Sequence, residues 1–238
     1  MKFEIVTLFP ELIEVYKKNG IIGRAVENKL FELEYVFLRD YSQDKHKKVD
    51  DYPYGGGPGM LLKPEPMFRA LDAIKKHNSY IIYLSPKGSL FNQNKAKELS
   101  TKEHIILIPG HYEGIDQRII DKYVDEEISL GDYVLTSGEL PALLIVDAVG
   151  RLIKGVLGSD ESAKEESHSQ NLLEYPQYTR PESYEGLDVP EILLSGHHKN
   201  IEEWRLFKAI ELTLRRRPDM IKDESIIEKY KELAKKFK

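Results

Sequence analysis

The feature that most constrains this chain is a repeated switch in hydrophobic period. Over about two thirds of its length, short apolar runs with strand character alternate with segments whose apolar residues recur every three to four positions. KFEIVTLF (Lys2 to Phe9), FELEYVFL, YIIYLSP, HIILIPG and EEISLG read as strands. Pro10 opens a helix to about Asn19 with Gly20 as its stop, and a second helix runs from Gly23 to Leu30. PEPMFRALDAIKKHN is helical, with Met67, Leu71 and Ile74 on one face, and NQNKAKELS and GIDQRIIDKYV follow as helices between strands. GELPALLIVDAVGRLI is an apolar helix whose Pro141 is tolerated in the first turn. Strands and helices in alternation with short connections predict an α/β fold, a parallel sheet with helices on both faces.

Sheets of this kind bind ligands at the carboxyl ends of their strands. The loops there read SPKG, PGHYEG and GDYVLTSGELP, each rich in glycine or proline, so a pocket among them has walls largely of main chain.

Composition narrows the chemistry. A hydrophobic fraction of 41% in 238 residues fills a core, and a formal charge of -5 excludes nonspecific coating of nucleic acid, leaving any contact with RNA to local basic patches. Zero cysteines remove disulfides, thiolate metal sites and cysteine nucleophiles together. Only His197 and His198 among the histidines are close, and adjacent side chains diverge, so protein-ligated metal is not expected. No Gly-x-Ser-x-Gly elbow is present. The apolar start MKFEIVTLFP is too short for a signal peptide and no apolar run reaches membrane-spanning length, which predicts a soluble cytoplasmic protein.

Two further stretches stand out. VDDYPYGGGPGM lacks the Gly-Lys-Ser/Thr of a phosphate loop and the spacing of a dinucleotide fingerprint, so it reads as a shaped, fairly rigid loop or a surface turn. From Gly196 to Arg217, six basic residues (Lys199, Arg205, Lys208, Arg215, Arg216, Arg217) face three acids, opposite in sign to the whole chain. Contact with a phosphate backbone and a solvated helix end both fit that pattern. Trp204 is a core anchor or a stacking platform for a base. Between these stretches, the polar VLGSDESAKEESHSQN is the best linker, giving domains of 1–158 and 172–238 joined by 159–171.

VDDYPYGGGPGM, YLSPKG, GHYEGIDQR, DEEISLGDYVLTSGELPA, GVLG, YPQYTRP, VPEILLSGHH and IEEWR…RRRP occur in an order and spacing that closely resemble the bacterial tRNA (guanine-N1)-methyltransferases over essentially the whole chain. The resemblance implies a SPOUT α/β fold with a deep trefoil knot and a small, mostly helical C-terminal tRNA-binding domain. It also implies S-adenosylmethionine as methyl donor, a requirement for magnesium, and a homodimer with its active site at the subunit interface. The implied reaction methylates the guanosine just 3′ of the anticodon in tRNAs where another guanosine precedes it. By the same resemblance the donor pocket comprises Tyr83, Leu84, Ser85, Pro86, Gly110, Tyr112, Glu113, Ser129, Leu130, Gly131, Asp132, Tyr133, Val134, Leu135, Gly138 and Pro141.

Removing the guanine N1 proton requires a base, and the charge moving toward O6 requires a cation. The resemblance assigns these roles to Glu166, with Glu165 as competitor, and to Arg151. The family usually carries Asp followed by Ser-Phe where this chain has Glu166-Ser167-His168, and commonly glycine at the position of Ser137. The same pattern sets Tyr54, Gly55, Pro58 and Gly59 beside the target guanosine with Asp50 near a base, while Lys199, Arg205 and Arg215 are the candidates for backbone contact. A noncatalytic RNA-binding protein on the same scaffold is the alternative.

Overall fold

A computed structural model describes residues 1–158, 167–168 and 171–237. They divide into two compact units, Met1–Gly158 and Ser159–Lys238. In the first, β1 (Lys2–Thr7), α1 (Pro10–Lys17), α2 (Gly20–Glu27) and β2 (Glu32–Phe37) lead to two short strands, β3 (Asp50–Asp51) and β4 (Leu61–Leu62). Then come α3 (Pro64–Ile74), β5 (Ser79–Leu90), α4 (Gln93–Leu99), β6 (His104–Ile108), α5 (Gln117–Tyr123), β7 (Glu126–Ser129) and α6 (Glu139–Gly150).

The α/β expectation is met, since β2, β1, β6, β5 and β7 form one sheet in that order with every pair parallel. Each strand divides its side chains by parity. Phe3 and Ile5, Ile82 and Leu84, and Ile105 and Leu107 share a core with α1, α2, α4 and α6. Val6, Ile81, Tyr83, Ile106 and Ile108 join α3 and α5 in a second core. A sheet buried on both faces explains why HIILI reads as an unbroken apolar run.

Boundaries differ where punctuation is ambiguous. Gly20, read as the stop of α1, opens α2, because a glycine turn serves equally to end one helix and start the next. β5 extends through SPKGSL: it pairs with β7 up to Leu84, breaks register, and resumes at Ser89 opposite Ile128. Strand β7 bonds to β5 rather than to its predecessor β6, a crossover that hydrophobic period does not encode.

The second unit contains β8 (Ser183–Tyr184) paired with β9 (Leu187–Asp188), then α7 (Glu191–Leu194), α8 (His198–Arg216) and α9 (Glu224–Phe237). Trp204 and Phe207 of α8 are buried, and the Phe207 ring stacks on Tyr230 of α9 at 5.4 Å. Trp204 therefore anchors a core instead of offering a face to a base. Among the described residues no helix is long and apolar enough to cross a membrane.

Ile82 lies fully buried in the middle of the sheet. Its replacement by Ala should cost about 3 kcal/mol in urea unfolding. Leu187→Ala, at a largely exposed site, should stay within about 0.5 kcal/mol. Equal losses would contradict the core assignment.

Candidate active site at the carboxyl edge of the sheet

The segments that follow the buried parts of β5, β6 and β7 converge on a cleft of about 310 Å³. That volume sits at the low end of the ~300–1,000 Å³ typical of small-molecule sites. Its wall carries every residue named above for the methyl donor except Asp132, which is exposed in the same loop. An exposed carboxylate keeps its hydration there. Lys87, His111, Gly114 and Ile128 also line the cleft and escaped the sequence reading, although all but Ile128 lie inside or beside the quoted loops. Burial pushes the Tyr83 phenol above its usual range, so at neutral pH it offers a protonated hydroxyl.

Main chain meets main chain at the back of this cleft. The Gly138 amide donates to the Gly110 carbonyl at 2.9 Å. A Cβ on Gly138 would stand 2.3 Å from the Gly110 nitrogen and 2.6 Å from the Pro109 Cα. No side chain fits between the two segments.

Beside this contact lies a buried polar cluster. The fully buried Glu139 accepts at Oε1 from the Thr7 hydroxyl at 2.6 Å and from His111 Nε2 at 2.7 Å. Burial works to raise the Glu139 pKa, but those two donors outweigh it and hold the carboxyl below its usual range. An ionised carboxylate only accepts, which assigns the Nε2 proton to His111.

The glycine-rich loop is laced to the same region. The Glu113 amide donates to the Met60 carbonyl at 3.0 Å, and the Leu62 amide to the Gly114 carbonyl at 3.0 Å. Gly59 has φ of +77°, and a Cβ there would fall 2.4 Å from the Glu113 Cγ. What lies so close to this backbone is therefore Glu113 of the cleft wall. Gly55 and Gly57 have open space around them, and Tyr54 is fully exposed. Asp50 pairs with Leu62 between β3 and β4 and is buried.

Arg151 is not in the cleft of its own chain. It caps the C-terminal end of α6 with its amide donating to the Asp147 carbonyl at 3.0 Å. It stands ten positions after Pro141 of the cleft wall, about 15 Å at the α-helical rise. Glu165 and Glu166 lie outside the described residues.

In the second unit Lys199 and Arg215 are exposed on α8. The Arg205 guanidinium stands 4.9 Å from the Tyr175 ring centroid, where it borders a groove also lined by Gln177 and Arg180. Lys208 and Arg217 pair instead with Glu211 and Asp219.

Residues 1–223 match the family described as tRNA (Guanine-1)-methyltransferase TrmD. The chain belongs to this family. It is 56% identical over 223 residues to the tRNA (guanine-N(1)-)-methyltransferase of Ruminiclostridium cellulolyticum, covering 92% of this chain and 96% of that protein. The enzyme of the same name from Clostridioides difficile is 54% identical, covering 93% and 98%, and that of Treponema denticola 56%, covering 93% and 90%.

Two predictions follow from the cleft's construction. Gly138→Ala should lower unfolding stability by about 2–3 kcal/mol, since its Cβ has nowhere to go, and an unchanged denaturation midpoint would refute the close approach. The lowered Glu139 pKa stabilises the fold above the unfolded value of about 4.3, and that contribution is lost as pH falls through the folded value. Unfolding measured from neutral pH downward should therefore show wild type losing more stability than Glu139→Gln, and parallel curves would contradict the assignment.

Proposed function

We propose that this protein transfers a methyl group from S-adenosylmethionine to N1 of the guanosine immediately 3′ of a tRNA anticodon, where another guanosine precedes it. The observation that carries this reading is a main-chain-walled cleft at the carboxyl edge of a parallel sheet in a chain of the tRNA (guanine-1)-methyltransferase family. Family membership weighs against the noncatalytic alternative.

The cleft fits the donor chemically. Gly110, Gly131 and Gly138 carry no side chain to hold a ligand away from the main chain, and Tyr83, Leu135 and Pro141 supply apolar surface for the ring. Bound there, S-adenosylmethionine supplies a methyl group on a positively charged sulfur. This chain's own side chains do the rest: Glu166, or its neighbour Glu165, takes the N1 proton, and the Arg151 guanidinium balances the charge that builds on O6. Among the described residues no three acidic or histidine side chains converge as a metal cage.

In this reading Arg151 comes from a second copy, because it lies about 15 Å along α6 from its own cleft. The surface supports such a homodimer. Phe9, Leu12 and Val15 of the α1 segment are about half exposed or more, and so are Leu140 and Leu144 on α6, an apolar face that a monomer leaves wet. The main-chain crossings at Gly138 and at Gly88, whose Cβ would lie 2.4 Å from the Glu127 carbonyl carbon, support a chain threaded as a SPOUT trefoil knot. In this reading Tyr54 to Gly59 flank the target base, residues 159–171 link the two domains, and Lys199, Arg205 and Arg215 of the helical domain meet tRNA phosphates. A tRNA substrate fits a cytoplasmic enzyme.

Labelled methyl transfer to paired transcripts tests the reading: the transcript with guanosine before the target should be methylated and its partner scarcely, while no label in either would defeat the proposal. Arg151→Ala should lower turnover about a hundredfold or more with donor affinity retained. Mixed dimers of Arg151→Ala and Leu135→Asp should regain activity that neither homodimer has, because one of their two sites is intact. Failure to regain it would place the whole site within one chain.

A further inference from the structure

Glu139 has no place in the chemistry above, yet it is a fully buried carboxylate at the point where the cleft walls meet. Burying a charge is costly, and apolar packing would serve stability as well or better. Its Oε1 gathers donors from positions 132 and 28 residues away, while Oε2 has no hydrogen-bond partner.

Each tie ends on a wall of the cleft or on the strand beneath it. Thr7 is the last residue of β1, and its hydroxyl also accepts from the Phe9 amide at 2.9 Å. His111 lies between Gly110 and Tyr112, both lining residues, and packs its ring against Phe9 at 5.7 Å and Tyr112 at 6.3 Å. Tyr112 has φ of +54°, a left-handed conformation that a bulky side chain keeps only when its surroundings impose it. On its other side, Glu139 directly follows Gly138 and begins α6.

We propose that Glu139 is a positioning residue for the donor cleft: through His111 and Thr7 it fixes the Gly110–Glu113 wall against the start of α6, so that the binding surface exists before the ligand arrives. The proposal rests on the methyl-donor reading of the cleft. Preorganisation of this kind appears as affinity, because a loosened wall must be ordered at the expense of binding energy.

The test is calorimetric titration with S-adenosylhomocysteine, the demethylated form of the donor, with thermal unfolding and far-UV circular dichroism as controls. Glu139→Ala should bind about ten- to hundredfold more weakly, the range expected when buried donors lose their acceptor. Glu139→Gln, whose amide oxygen still accepts both donors, should stay within about threefold of wild type. A wild-type affinity in Glu139→Ala, or a Glu139→Gln as weak as Glu139→Ala, overturns the positioning role. Should Glu139→Ala fail to fold, Thr7→Val and His111→Phe take its place: weaker binding in both supports the clamp, and unchanged binding overturns it. Failure of the wild type itself to bind would instead sink the donor-cleft reading, which the wild-type titration alone reveals.

Discussion

Gly138 rests on Gly110 backbone to backbone, closer than any β-carbon permits, and the functional part of the molecule is organised around that contact. It brings the chain after β7 across the end of β6, which β5 separates from β7 in the sheet. The segments that meet have few side chains to fill the space between them, so they leave a cleft bounded by peptide groups. Hydrogen-bonding groups presented by main chain are fixed by the fold itself and cannot rotate away, which suits a site for a polar ligand. The Glu139 cluster lies directly behind, where a buried ion with two donors resists any sliding of the walls.

In the proposed reaction the two ends of α6 have different tasks, which is why the proposal calls on a second copy. The N-terminal end of this helix closes the donor cleft and its C-terminal end carries Arg151. A rigid helix cannot bring its own ends together. The same helix is apolar nearly all round, burying Ile145, Val146 and Val149 inward while Leu140 and Leu144 face outward, the pattern of an element with partners on two sides.

Much of this was legible in the sequence because period and punctuation are local. The strands YIIYL, HIILI and EEIS stand where their apolar runs are, and the loops after them are the cleft walls. What was not legible depends on distance in three dimensions. Thr7, His111 and Glu139 carry no common motif, and only folding shows that they touch. Asp50 reads as a polar loop residue, but its ladder with Leu62 turns it inward. Trp204 allowed two readings until its packing in the second unit decided for the core. The order of the sheet, with β7 bonded to β5, follows from which edges remain free as strands assemble rather than from any single segment.

In the proposed site, one chain's glycine-lined cleft and another chain's arginine act together. A crystal structure of the protein with S-adenosylhomocysteine and an anticodon stem-loop tests it most directly. The ligand should lie against Gly110 and Gly138 of one copy, with Arg151 of the other facing guanine O6. A ligand bound elsewhere, or a guanine contacted only by the copy that holds the donor, would contradict it.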